Sequence, residues 1–291
     1  MTFTGRYLAG LVKMVAGCLC AVLMGCSEKE ASFDMQPYEN QPLIRPVSPL
    51  ISEASGIADS KANPGFLWVQ EDSGNAAVLY LVGHDGQVAK TIPFKGITNR
   101  DWEDLVLSGN DLYLADIGDN AEAYKTYTIY KFPEPKADTD TIRTIEKITF
   151  QYSDGAHDAE AFLVDPESKD IYLLTKRDFP ARIYKIAYPY STTSVNTAVK
   201  AGALAYGGVV SAALSADGKG IIVKTYMDLF YYPRTANEPL EQALAKSHTK
   251  LPYVMEPQGE AVTFLRNNKG YFTLSEKFLS SKVDLYLYKK K

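Results

Sequence analysis

Beyond Pro42 the apolar residues fall in short runs, β-branched or aromatic, and the runs are punctuated by Gly, Asp, Asn and Pro. Runs of this kind without a 3.6-residue stripe predict β-strands, and only Pro239 to His248 carries a helical pattern. The runs recur. Ser55-Gly56-Ile57, Glu103-Asp104-Leu105, Glu160-Ala161-Phe162, Ala212-Ala213-Leu214 and Glu260-Ala261-Val262 each open a strand, at spacings of 48, 57, 52 and 48 residues. A turn leads from each to a more hydrophobic second strand, as in Phe66-Leu67-Trp68-Val69 and Ile171-Tyr172-Leu173-Leu174. Asn63-Pro64-Gly65, Asp165-Pro166 and Asp217-Gly218 are turn formers because Pro presets φ, Gly accepts positive φ and Asx side chains bond nearby amides. A third, Tyr-bearing strand follows in every repeat, as in Tyr127-Thr128-Ile129-Tyr130.

Self-similarity at about 50 residues predicts an all-β fold, a β-propeller of five blades over residues 43–291. The fifth repeat ends at Lys291 without a fourth strand, so Leu43 to Leu50 is expected to complete it and close the ring. Six blades is the alternative, if the longer second repeat holds additional structure.

The first residues read differently. Arg6 and Lys13 bracket an apolar stretch that continues to Met24, too short and too rich in Gly and Cys for a membrane span, and residues 1–25 are expected to be a signal peptide. Leu23-Met24-Gly25-Cys26 resembles a bacterial lipobox, which implies lipidation of Cys26 and attachment to a membrane by acyl chains. Residues 26–42 are polar and aperiodic, a flexible tether. Ser27-Glu28-Lys29-Glu30 looks like the surface-export signal of Bacteroidetes lipoproteins, which implies an outer-membrane lipoprotein of the cell envelope, exposed at the surface.

Charge and cysteine usage narrow the chemistry. The net charge is −4, and more negative without Arg6 and Lys13, which argues against a nucleic-acid partner. All three cysteines, Cys18, Cys20 and Cys26, precede the folded body, so no disulfide or thiolate metal site is expected there. Carboxylates, hydroxyls, Lys, Arg and three His remain. Among them there is no Gly-x-Ser-x-Gly elbow, no His-Glu-x-x-His and no Walker loop.

In a propeller the start of each innermost strand meets the end of the next strand on one face. Glu53, Asp101, Glu103, Asp158, Glu160 and Glu260 stand at or just before such starts, and Asp72, Asp116, Lys176, Arg177, Lys224 and Glu276 at such ends. So many carboxylates around one narrow channel need a cation, because a bare buried carboxylate costs several kcal/mol or a large pKa shift. Ca²⁺, which takes oxygen ligands, is one solution, with Glu53, Asp101, Glu103, Asp158, Glu160 and Glu260 as candidate ligands. Lys176, Arg177 and Lys224 reaching in is the other. His157 precedes Asp158 and is a candidate acid or base. Arg100 is a candidate for the anion side. His84 and His248 are expected to face solvent. The loop Asp116-Ile117-Gly118-Asp119-Asn120 spaces oxygens around Gly like a calcium loop, and equally reads as a turn.

The openings Glu-Ala-Ser-Gly-Ile (53–57), Asp-Trp-Glu-Asp-Leu (101–105), Asp-Ala-Glu-Ala-Phe (158–162) and Gln-Gly-Glu-Ala-Val (258–262) resemble those of bacterial phytase-like β-propeller proteins. In layout the chain is also similar to the calcium-activated nucleotidase (apyrase) family. The first resemblance implies a calcium-dependent phosphoester or ester hydrolase. In that reading Glu103, Glu160, His157, Lys176 and Lys224 are catalytic, and Arg100, Lys176, Arg177 and Lys224 hold a small phosphorylated or ester substrate. The other reading is a non-catalytic binding or scaffold propeller with at most a structural metal. A monomer is expected in either.

Overall fold

The computed structural model describes residues 37–279 and 282–291. The expected signal peptide, the lipidation of Cys26 and the first part of the tether lie outside the described residues. Residues 37–42, also expected to be tether, are docked: Tyr38 is buried, bridges Lys290 and sets its ring edge-on against Tyr271 at 5.0 Å. Tyr38 is the one buried residue of this stretch, and its neighbours stay at the surface.

The described residues form an all-β, propeller-like fold of four-stranded antiparallel units. Strand β1 (Leu43–Pro46) comes first and stands apart from its sequence neighbours. Sheet 1 holds β2 (Ala54–Asp59), β3 (Phe66–Glu71), β4 (Val78–Gly83) and β5 (Val88–Pro93). Sheet 2 holds β6 (Trp102–Ser108), β7 (Asp111–Asp116), β8 (Tyr127–Pro133) and β9 (Glu146–Tyr152). Sheet 3 holds β10 (Ala159–Val164), β11 (Ile171–Thr175), β12 (Arg182–Ile186) and β13 (Asn196–Ala203). Sheet 4 holds β14 (Val209–Leu214), β15 (Gly220–Thr225), β16 (Leu229–Pro233) and β17 (Thr249–Lys250), with the short helix α1 (Leu240–Leu244) between the last two. Sheet 5 holds β18 (Gly259–Phe264), β19 (Gly270–Ser275) and β20 (Asp284–Lys289), and β1 pairs with β20 as its fourth strand. The extra length of the second repeat is spent in the loop 134–145, between β8 and β9.

The packing runs in a circle. Each first strand lies against the next: β2 on β6, β6 on β10, β10 on β14, β14 on β18, and β18 on β2. Apolar side chains fill the space between every neighbouring pair of sheets, as with Trp68 and Trp102 between sheets 1 and 2, or Phe272 and Val69 between sheets 5 and 1. First strands are therefore covered on both faces, and β2, β10 and β18 are buried at every position. Outer strands such as β5 keep an exposed side and alternate. Sheets 2 and 3 also touch along their outer edges, where β13 pairs parallel to β9 from Asn196 to Ala198.

One irregularity repeats in all of these sheets. The register between first and second strand slips between Ala54 and Gly56, Trp102 and Asp104, Ala159 and Ala161, Val209 and Ser211, and Gly259 and Ala261. A β-bulge leaves one residue unpaired and re-aims its side chain. The bulged residues are Ser55, Glu103, Glu160, Val210 and Glu260. This corrects the alignment of the fourth repeat, whose counterpart of the glutamates is Val210, two residues before Ala212.

Candidate metal centre

The bulges bring Glu103, Glu160 and Glu260 from sheets 2, 3 and 5 into mutual electrostatic contact. Glu103 is buried, and its carboxyl is pushed well above the usual range by that burial and then by Glu160, Asp72, Asp101 and Glu260. Asp72 follows β3 and Asp101 precedes β6, and one carboxylate oxygen from each lies within 4.8 Å of the other and of Glu103. Burial is the main cause that raises Asp72 to about 6, with Asp101, Glu260 and Glu53 adding to it. Burial also raises Asp101, against a hydrogen bond from Ser73.

The room for these oxygens comes from Gly118. A Cβ there would stand 2.6 Å from Asp101 Oδ2 and closer still to Glu103 Oε1, inside van der Waals contact. The acids of the surrounding loop do other work. Asp116 accepts the Asp101 amide at 3.1 Å and pairs with Arg100 Nε at 3.3 Å. Asp119 accepts the amides of Ala123 (3.0 Å) and Tyr124 (2.8 Å) and the Tyr127 hydroxyl (2.8 Å). So the loop holds its own shape and leaves a gap at the glycine.

Beside this triad lies a second, cation-bearing half. Lys176 Nζ donates to Glu160 Oε1 and, at 3.0 Å, to the Tyr226 hydroxyl, and stands 4.0 Å from Glu260. Tyr226 in turn donates to Glu260. Burial works against the charge on Lys176, but Glu160 and Tyr226 more than reverse it and hold the amine above its usual value. Glu160 Oε2 is buried without a hydrogen-bond partner. Glu276, after β19, is raised to about 8 by burial and then by Glu260. Arg177 Nε pairs with Asp158 at 2.7 Å and its guanidinium also reaches Asn120. Glu53 sits at the exposed rim and accepts from Asn75.

Three of the expected site residues have other surroundings. His157 Nε2 bonds the Tyr184 hydroxyl (2.8 Å) and Asp154 (3.1 Å), and Nδ1 faces Asp178 at 3.3 Å, so the ring is engaged between sheets 2 and 3. Lys224 is fully buried between sheets 4 and 5, donates to the Tyr253 hydroxyl at 2.5 Å and lies 3.9 Å from that ring's centre. Burial lowers its amine to about 8, against Glu256 and Glu260. Arg100 is taken up by Asp116, the carbonyl of Thr126 at 3.1 Å and the face of Tyr124 at 4.2 Å. His84 and His248, expected in solvent, are half-buried, the first bonding Asp59 at 2.7 Å and the second packing on Phe230.

Asp104, one residue past a bulge, is fully buried and raised well above its usual range by that burial. It accepts the Leu105 amide (2.9 Å), the Ala212 amide (3.3 Å) and the Ser211 hydroxyl (3.3 Å), tying sheet 2 to sheet 4 behind the acid cluster. On its other side β6 is approached closely by β2, at Gly56, where a Cβ would lie 2.6 Å from the Leu105 nitrogen. At the other end of the first strands lies a cavity of about 200 Å³, lined by side chains such as Leu107, Leu214 and Phe264 with Asp59, Lys61 and Arg266.

No family model matches the chain, and no curated protein matches it. Among solved structures it is similar to hydrazine synthase of Kuenenia stuttgartiensis, at 10% identity and a TM-score of 0.42 over 76% of this chain and 68% of that one. A luciferin-regenerating enzyme is similar at 10% identity and a TM-score of 0.48, over 85% of this chain and 95% of that one.

Proposed function

We propose that the chain is a five-bladed β-propeller lipoprotein of the bacterial outer membrane that binds Ca²⁺ at its acidic end and hydrolyses a phosphoester or ester there. The observation that carries this reading is the meeting of Asp72, Asp101 and Glu103 in a space kept open by Gly118, beside a buried Glu160 oxygen with no partner. An all-oxygen donor set suits a hard divalent ion. Bound Ca²⁺ would supply positive charge against a phosphoryl or acyl oxygen. Asp72, Asp101 and Glu103 hold the ion, and the free oxygen of Glu160 is placed to accept a proton from water. Lys176, fixed on the other Glu160 oxygen, stabilises negative charge on the substrate. Attachment through Cys26 rests on the Leu23-Met24-Gly25-Cys26 sequence alone.

A binding platform with a structural metal is the second reading. It is favoured by the partners that His157, Lys224 and Arg100 already hold in Tyr184, Tyr253 and Asp116, while Arg100 and Lys224 stay within electrostatic reach of Asp101 and Glu260. The test is thermal melting of the protein in millimolar Ca²⁺ against excess EDTA, followed by a phosphoester and ester screen with Glu103→Gln and Glu160→Gln. A rise in melting temperature with turnover lost in both variants supports the hydrolase. A rise without turnover supports the platform, and no rise removes the metal from both readings.

A further inference from the structure

The acidic end carries a second property that the metal reading does not use. Tyr124, Phe179, Met227, Phe278 and Leu279 are all exposed, and all lie in loops that leave second strands, the ends where Asp72, Asp116 and Lys176 stand. Met255, in the segment leading into β18, is exposed at the same end. Exposure reaches 84% for Phe179, 66% for Met227 and 97% for Leu279. By contrast, the loops at the opposite end, which join first to second and third to fourth strands, expose two large apolar side chains among the described residues, Tyr188 and Val195, both in one loop of sheet 3. Single exposed apolar residues are ordinary, whereas several ringing one end mark an interaction surface.

We infer that this end is a docking face for a basic, apolar polypeptide segment of a partner protein. The side chains come from sheets 2, 3, 4 and 5, so they spread over the width of the face, farther than one small molecule reaches. Covering them takes an interface of roughly 800 Å² on each side, the scale of a protein partner. Charge selects the partner's chemistry. Inside the apolar ring the acids outnumber Lys176 and Arg177, and the site already seats one ammonium, that of Lys176, between Glu160, Tyr226 and Glu260. A Lys or Arg flanked by Leu or Phe satisfies both parts at once. A bilayer surface fits less well, because its phosphate headgroups would face the same carboxylates. The inference stands apart from hydrolysis.

The test uses the full chain carrying Cys26→Ala, in EDTA, titrated by calorimetry with a synthetic peptide that alternates Lys with Leu and Phe. Binding is expected at least tenfold tighter than for an all-Lys peptide of equal charge, with no binding of a Glu-Leu-Phe peptide. The double variant Phe179→Ser, Met227→Ser should lose at least tenfold in affinity at an unchanged melting temperature. Equal affinity of the variant, or of the all-Lys peptide, overturns the inference. So does binding to vesicles of anionic phospholipid that the double variant loses, which would assign the apolar ring to a membrane. Repeating the titration in Ca²⁺ separates the two proposals, since failure of the metal site leaves the peptide result in EDTA untouched.

Discussion

The two ends of the first strands contain similar residues in opposite electrostatic states. At one end Asp59 is held by His84 Nε2 at 2.7 Å and the Arg266 amide at 2.7 Å, while Asp165 is buried against Arg234 at 2.6 Å. At the other, Glu103 is equally buried and faces Glu160, Asp72, Asp101 and Glu260, and Glu160, paired with Lys176 through one oxygen, has no hydrogen bond to the other among the described residues. Burial alone therefore does not decide how an acid is satisfied. What decides it is whether the fold supplies the partner, because a buried charge is tolerated when paired and costly when not. At one end Asp59 and Asp165 are satisfied, and at the other Glu103, Asp72 and Asp101 face one another as well as satisfied acids such as Asp119.

Replacements at the two ends should consequently have opposite signs. Arg234→Met removes the partner of buried Asp165 and is expected to cost about 3–5 kcal/mol in urea unfolding, the largest effect here. A loss below about 1 kcal/mol would mean that Asp165 is not held by that pair. Gly118→Val fills the gap against Glu103 and Asp101 and should abolish the stabilisation by Ca²⁺, which is about 2.7 kcal/mol at a hundredfold excess over Kd. Retention of the full Ca²⁺ shift in this variant would move the metal elsewhere.

Glu103→Gln should stabilise the metal-free protein, since it removes a carboxyl that burial and the facing acids hold well above its usual range, and should eliminate the Ca²⁺ response. Destabilisation of the EDTA-treated variant would contradict the comparison of the two ends. The last effect is one of pH. Glu276 rises from 4.5 to about 8 on folding, so the folded state keeps a proton that the unfolded chain has released over that window. Its contribution makes the protein most stable below about 4.5 and less stable as pH climbs toward 8. In Glu276→Gln the fall in melting temperature between pH 5 and pH 8, measured in EDTA, should be shallower than in the parent chain.

Much of this was legible without coordinates. Turn residues such as Asn63-Pro64-Gly65 and the β-branched or aromatic runs mark strand ends and strands, and the missing last strand points to Leu43. Asp101, Glu103, Glu160 and Glu260 stood out because polar residues break an otherwise apolar start. Asp72 and Glu276 carried a weaker signal, their place at the ends of second strands, and Tyr226 carried none. The partners of His157 and Lys224 were not legible, because Tyr184 and Tyr253 come from distant parts of the chain and meet them only in the spaces between sheets. Val210 was hidden because it is apolar among apolar neighbours, so nothing in the sequence marks it as the extra residue of the bulge.

The amino-acid sequence by itself determined the strands, their grouping and the presence of too many acids at strand starts, since these follow from local periodicity and turn chemistry. Only the tertiary structure decided which acids are satisfied. Partners such as Arg234 for Asp165 or Ser211 for Asp104 come from different sheets, and pairing across such separations is set by how the sheets close on one another. The same closure, through Gly118 and Glu160, brings carboxylates face to face at one end, leaves one buried Glu160 oxygen without a partner, and sets exposed apolar side chains in the loops around them.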